Sequence, residues 1–394
     1  MVSLNDIRPL LYTARLFGVG FYSVSEEDIT MMKYSIVYSV LFALLYAGLC
    51  LYSFYMLRMD NMLEPRLLTL TVVRTVLSYA CVLSDIIMKV WCNWKIQTAM
   101  SHLRVFDRAT RYEKETKTVY RVSYICGALT FVTLLYWSIV GYITFRVEPE
   151  DAVFNAVTYA YVNSTISMQL LMFASFSFLL YERFRRLCDI LLLPKDGKIM
   201  TVIDRSSRHF RLQEVWWLHS CLANATEMIN SVYGVQLLLW LSCMSFNTLT
   251  RLYTINEGET ISFPLLMLRE VLLVSACVTN LLIITITCHA TAAQANRVGM
   301  IAFMPSSAIL AKRNFIQDCS VEAVTYFHLR QVHFFALFGI IRIDLPLLLT
   351  VRLEKNILAA CGTFSGITLT IRYFFLQIAS GITTYLVILH TANI

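Results

Sequence analysis

Scanned in windows of about 19 residues, the chain resolves into long apolar runs separated by polar stretches. Six of the runs cover Tyr34 to Leu57, Leu67 to Val90, Val122 to Phe145, Ala156 to Tyr181, Ser231 to Leu249 and Phe263 to Cys288. Wound as a helix at ~1.5 Å per residue, each is long enough to cross roughly 30 Å of hydrocarbon. The last stretch, Gln331 to His390, is also apolar, but Arg342, Asp344, Pro346, Arg352, Glu354, Lys355 and Arg372 interrupt it, so seven or eight spans fit the pattern.

The polar stretches carry a pattern of their own. Asn93 to Glu115 and Arg205 to Asn230 place apolar residues at helical spacing, which predicts that the second and third pairs of spans continue past the bilayer as unbroken helices. No internal repeat and no Pro- or Gly-rich linker divides the chain. The expected fold class is all-α: a single-domain polytopic membrane protein with seven transmembrane helices. The first 33 residues lack a basic tip followed by an apolar block, so the first span is expected to act as the insertion signal.

Composition agrees with the pattern. Of 394 residues, 57% are hydrophobic and 15% charged, more apolar surface than one soluble core can use. The net charge of +7 gains meaning only from its placement. Lys and Arg number 26 on one side: the N-terminal arm and the stretches Lys89 to Arg121, Arg183 to Arg211 and Arg297 to Lys355. The alternate loops hold four, Arg58, Arg66, Arg146 and Arg251. The crowded side is expected to be the cytosol, with the N-terminus cytosolic and the C-terminus extracellular. Charge in such loops speaks against nucleic acid as a partner and for the lipid bilayer. That topology is the reverse of a G-protein-coupled receptor, and no Asp-Arg-Tyr triplet occurs. The seven histidines and eleven cysteines form no metal-ligand pattern, and there is no phosphate loop or nucleophile elbow. An enzyme is not expected, nor a metal or other cofactor.

Charges inside spans are costly unless they pair or face water, so by default they mark a cavity. Arg74 lies about a third of the way into the second span, and Arg269 and Glu270 lie just inside the outer end of the sixth. Trp137, Tyr159, Asn163, Trp240 and Phe246 occupy the outer halves of the third to fifth spans, beside Tyr136, Tyr142, Tyr161 and Asn247. Together they read as an aromatic box with amides and charges, suited to a small organic ligand. A structural Arg74 to Glu270 pair, a snorkelling Arg269 and an interfacial aromatic belt explain the same residues without a ligand. Asp85, deeper in the second span, reads as a structural partner for a basic helix end.

The closing residues are Ile382-Thr-Thr-Tyr-Leu-Val-Ile-Leu-His-Thr-Ala-Asn-Ile394. They resemble the ending of the insect gustatory receptors, in which Thr-Tyr is followed by hydrophobic residues and Gln-Phe. Thr384 and Tyr385 match, while His390, Thr391 and Ala392 depart from the pattern. Asn230-Ser-Val-Tyr-Gly-Val-Gln-Leu and Phe338-Gly-Ile-Ile-Arg-Ile-Asp-Leu add to the likeness. The resemblance implies a tastant-gated cation channel in the plasma membrane of a chemosensory neuron dendrite. It implies a tetramer of identical or related subunits, passing monovalent and divalent cations through a pore lined by each seventh helix. The pocket would lie in the outer half of the first six helices. Ser380, Thr384, Ile388 and Thr391 fall on one helical face, as a pore-lining stripe requires. Small and hydroxyl residues at helix contacts give the same spacing. By the resemblance, Thr391 and Ala392 form the outer constriction.

Gly339 precedes Tyr385 by 46 residues, far more than the resemblance leads one to expect. Removing Val351 to Gln377 joins Thr350 to Ile378 in one uninterrupted apolar helix. The removed peptide begins with Val, whose codons start GT, and ends in a run that a pyrimidine-rich tract closing in CAG can encode. Residues 351 to 377 are therefore a candidate retained intron. The expected layout is a cytosolic arm over 1 to 33, a six-helix ligand-binding bundle over 34 to 288, and a cytosolic anchor helix with the pore helix over 289 to 394. A secondary transporter and a non-conducting auxiliary subunit or pseudogene product are the alternatives.

Overall fold

The computed structural model describes residues 7–19, 22–24, 29–31, 35–59, 65–110, 116–147, 152–192, 212–256, 264–302, 321–336 and 341–343. Helix α1 (Arg8–Leu16) and a short hairpin of β1 (Tyr22–Val24) and β2 (Ile29–Met31) lead into α2 (Ser35–Met59) and α3 (Pro65–Trp91). There follow α4 (Asn93–Ala109), α5 (Thr116–Val147), α6 (Ala152–Leu191), α7 (Leu212–Asn256), α8 (Pro264–Ala302) and α9 (Val321–Leu329). A second hairpin, β3 (Phe335–Ala336) with β4 (Ile341–Arg342), comes last.

Among the described residues six helices are long and apolar enough to cross a membrane: α2, α3, α5, α6, α7 and α8. They match the six runs read from the sequence. The expected seventh span, with Ser380, Thr384, Tyr385, Ile388, Thr391, Ala392 and the 351 to 377 insertion, lies outside the described residues.

We call "upper" the end of the bundle that holds the N-termini of α3, α6 and α8, and "lower" the opposite end. At 40, 45 and 39 residues, α6, α7 and α8 are roughly 60 Å long, twice the hydrocarbon thickness. The excess lies at the lower end, as the helical spacing predicts for the fourth to sixth spans; Asn93 to Ala109, expected to continue the third span, instead forms the separate helix α4, capped at Cys92 and Thr110. There α4 buries Ile96, Ala99, Met100, Leu103 and Phe106, a 3–4 repeat, and packs on α7. Asp107 on α4 takes both Nε and Nη2 of Arg183 on α6, at 3.0 and 2.7 Å. α6 and α7 form the centre and bury most of their apolar stretch, whereas α2 buries almost none of its own. Leu41, Leu44, Leu51, Phe131 and Val132 on α2 and α5 are exposed, a surface that only lipid tails solvate well.

The N-terminal arm is part of the bundle. α1 packs on α5 and α6 and buries Leu10, Leu11 and Ala14. It stops at Gly18, whose φ of +70° is left-handed. Val19 N–H donates to Ala14 O and Gly18 N–H to Arg15 O, both at 2.9 Å, the paired bonds of a Schellman cap. The carbonyls of the last turn and of the residues that follow it are then taken by tyrosines and a lysine. Tyr38 donates to Arg15 O, Tyr161 to Leu16 O at 3.0 Å and Tyr46 to Phe17 O at 2.9 Å. Lys89 Nζ donates to Val19 O at 3.0 Å and pairs with Asp85 at 2.7 Å. Asp85 is thus the structural partner that the sequence suggested, and its cation sits over the C-terminal end of α1, where helix polarity favours it.

Candidate functional site

Four helices converge at the upper end and bring charge into an apolar setting. α7 contributes Arg251, whose Nη1 pairs with Glu270 Oε2 on α8 at 2.5 Å. Its Nη2 donates to Tyr159 Oη on α6 at 2.5 Å, and the guanidinium lies 5.8 Å from the Tyr159 ring centre. Arg269 Nε reaches the other carboxylate oxygen, Glu270 Oε1, at 3.1 Å. Arg74 on α3 lies within electrostatic reach of Arg251, Tyr159, Glu270 and Arg269. Glu270 and Arg251 are buried, at 3% relative exposure each. Charge-assisted, hydrogen-bonded pairing is what makes such burial tolerable.

Beside the charges, Trp137, Val140 and Leu273 form a small apolar cluster between α5 and α8, with Tyr136, Tyr159, Leu272 and Ala276 packed against it. Trp137 Nε1 donates to Ser167 Oγ at 2.9 Å. Tyr159 therefore joins the charged group to an aromatic wall. Below, Ser78 and Asn247 meet the Cys243 thiol at 3.7 and 3.3 Å.

Of the residues singled out from the sequence, Arg74, Tyr159, Arg269 and Glu270 come together, and Trp137 joins them through the apolar cluster. Asn163 turns back on its own helix, donating to Tyr159 O at 2.8 Å. Trp240 sits deeper, fully buried against Phe173 and Tyr233, with Nε1 donating to Gln169 Oε1 at 3.3 Å. Phe246 is half-buried on α7.

Two groups were missed. Arg251 counts as a loop charge in the sequence, yet it, rather than Arg74, makes the direct pair with Glu270. The second is an amide layer near mid-bundle. Gln236 accepts from Ser84 Oγ at 2.5 Å, and donates to Cys81 O at 2.7 Å and to Gln169 Oε1 at 3.4 Å. An amide inside each of two apolar runs was the available signal, because a buried amide requires a partner.

Below the amide layer the residues just before the Phe338 stretch meet the Asn230 stretch. Phe335 N–H donates to Asn230 Oδ1 at 3.0 Å, and buried Phe334 stands edge-on to Phe173, which also packs on Tyr233. Asn296 clasps Val332 through both its amide nitrogen and oxygen, at 3.0 and 2.8 Å. The segment leading toward the expected seventh span is therefore pinned to α7 and α8. No cluster of metal-ligating side chains occurs among the described residues, and none of their nine cysteines is in a disulfide.

Comparison with known proteins agrees with this architecture. The chain is similar to the solved structure of the insect olfactory receptor OR5 from Machilis hrabei, at a TM-score of 0.64 and 13% identity, covering 95% of this chain and 97% of that one. It is also similar to the same receptor in complex with eugenol, at a TM-score of 0.59 and 14% identity, covering 95% and 98%. No match was found among curated proteins. Identities this low speak for the fold alone, but the family model described as 7tm chemosensory receptor matches residues 7–316. The long helical bundle, its buried charges and that match agree, and the chain belongs to the 7tm chemosensory receptor family.

Proposed function

We propose that the protein is a gustatory-type receptor: a tastant-gated, non-selective cation channel, formed as a tetramer in the plasma membrane of chemosensory neurons. The observation that carries the reading is the charged group at the upper end, where Arg74, Arg251, Arg269, Glu270 and Tyr159 meet beside an aromatic wall. Charge at that depth is expensive to maintain, which favours a binding role. The loop-charge bias, 26 against three once Arg251 is set aside, supports this end lying outside, facing the tastant. The eugenol complex of the olfactory receptor is a precedent for a small organic ligand. Ser380, Thr384, Ile388, Thr391 and Ala392 would line the pore, with Thr391 and Ala392 at its outer constriction. Ligand would favour the state in which α7 shifts between the pocket and the Asn230 contact to Phe335, moving the segment that leads into the pore helix.

Residues 351 to 377 interrupt that helix, and we read them as a retained intron. The altered residues Thr391 and Ala392 favour one rival, a subunit that does not conduct alone. Whole-cell recording from cells expressing the chain with and without these residues tests the proposal. A tastant-evoked, cation-selective current in the shortened form is expected, and silence in both forms despite surface delivery would favour the non-conducting subunit. Transcript sequencing across the 350/378 junction checks the intron separately.

A further inference from the structure

We propose that the lower end of the bundle holds a ligand site of its own, apart from the upper charged group: a cavity between α8 and α9 that takes a small uncharged molecule with an apolar body and a carbonyl group. The cavity measures ≈ 380 Å³, within the roughly 300–1,000 Å³ of small-molecule sites. Ala295, Gly299 and Met300 on α8 and Phe327 on α9 give it an apolar side. Gly299 lets the two helices approach, since a Cβ there would stand 3.2 Å from Phe327 Cβ. Ala295 lies about 47 Å along α8 from Pro264, well past roughly 30 Å of hydrocarbon. Lipid tails do not reach that depth, so the apolar side faces water until a molecule from solution covers it.

The polar side decides what that molecule carries. His219 on α7 is buried, and both its ring nitrogens are engaged. Ala295 O, which only accepts, takes its Nε2–H at 3.3 Å, and Nδ1 takes the Tyr326 O–H at 3.0 Å. Asn296 is held by Val332 through both ends of its amide. Gln331 Oε1 accepts from His333 Nε2 at 3.2 Å, which leaves Gln331 Nε2 to donate. Arg330 Nη2 serves Asn224 Oδ1 at 2.5 Å and Glu227 Oε1 at 3.1 Å, and Nη1 has no acceptor among the described residues. His328 is exposed at the rim, and a neutral imidazole favours neither donor nor acceptor. The wall thus has N–H groups of Arg330 and Gln331 to spare, and a carbonyl oxygen answers them. A charge is not called for, because Glu227 already offsets Arg330. A carboxylate would meet that acid, and an ammonium group would meet the guanidinium. From Gln331 the chain continues through Val332 and Phe335, pinned to α8 and α7, toward the expected seventh span. A molecule in the cavity ties α9 to α8 and steadies that segment.

Benzophenone, diphenylmethane and diphenylacetate each hold two phenyl rings on one carbon and differ in carrying a carbonyl, no polar group or a charge. Hydrogen exchange of the purified full chain in phosphatidylcholine nanodiscs, titrated with each, reads binding locally and independently of any current. Benzophenone is expected to slow exchange over residues 321–336 and to bind about tenfold more tightly than diphenylmethane, with diphenylacetate weakest. Met300→Glu, at an exposed position, should weaken benzophenone and diphenylmethane alike. Arg330→Gln should erase the ketone's advantage, and Gln331→Ala should remove part of it, both leaving diphenylmethane unchanged. Equal binding of benzophenone and diphenylmethane, or a preference for diphenylacetate, overturns the carbonyl assignment. Protection that is lost in Trp137→Ala but kept in Met300→Glu places the ketone at the upper group and overturns the lower site. Exchange that slows when the chain assembles into oligomers and not with benzophenone means that a second copy covers the cavity, which overturns it too, as does exchange that none of the three compounds alters.

Discussion

Glu270 holds two guanidinium groups in a buried setting, one on each oxygen. Glu270→Gln keeps the shape but leaves Arg251 and Arg269 without their anion, and breaking a buried pair from one side typically costs about 3–5 kcal/mol. A marked fall in the unfolding temperature of the detergent-solubilised chain is expected. Adding Arg251→Gln to that variant removes a stranded cation and should recover part of the loss. No recovery would mean that the pair is not coupled. At this scale the sequence was partly legible. Arg74, Arg269 and Glu270 stand out because a charge within an apolar run is rare. Arg251 does not, because it lies at a run's edge, and only the meeting of the α7 and α8 ends makes it a partner. Trp240 looks the same in sequence as an exposed aromatic, and its burial against Phe173 follows from packing that no local pattern encodes.

The helices themselves were legible because hydropathy is a local property. The run from Leu67 to Val90 corresponds to the span Leu68–Trp91, and Val122 to Phe145 to Ser123–Val147. The fourth to sixth spans run well beyond their apolar runs at the lower end, as Val153–Leu191, Gln213–Thr248 and Pro264–Ala302. Outside the bilayer a helix needs only one apolar face, which an averaged window dilutes and helical spacing detects. The docking of α1 had no such signal, since it rests on backbone carbonyls on either side of a glycine cap. A Cβ at Gly18 would stand 2.5 Å from the Phe42 ring, and the φ of +70° disfavours any side chain there. Gly18→Ala should therefore loosen the arm from Tyr38, Tyr46 and Lys89. Hydrogen exchange over residues 7–19 is expected to quicken several-fold while that of α7 is unchanged. Unaltered exchange would show that the cap does not hold the arm.

For the whole molecule, the proposed function requires one long helix, α7, to link the upper charged group to the expected pore helix. α7 carries Arg251 near one end, Gln236 near its middle and Asn230 toward the other, so it touches the pocket, the amide layer and the segment before the expected seventh span. Family membership and the helical bundle were readable from Thr384-Tyr385, Asn230-Ser-Val-Tyr-Gly and the run pattern. The sidedness of the bundle is set by the bilayer, which a single chain carries only as a charge bias, and the proposed assembly would be set by partner surfaces. The pore is where these expectations converge. The most direct test places a cysteine at the proposed outer constriction, Thr391→Cys, in the chain lacking 351 to 377, and applies a membrane-impermeant, positively charged thiol reagent from outside during tastant-evoked current. The account predicts progressive block that the parent chain does not show and that is faster with tastant present; a cysteine that reacts at the surface while the evoked current persists unchanged would contradict it.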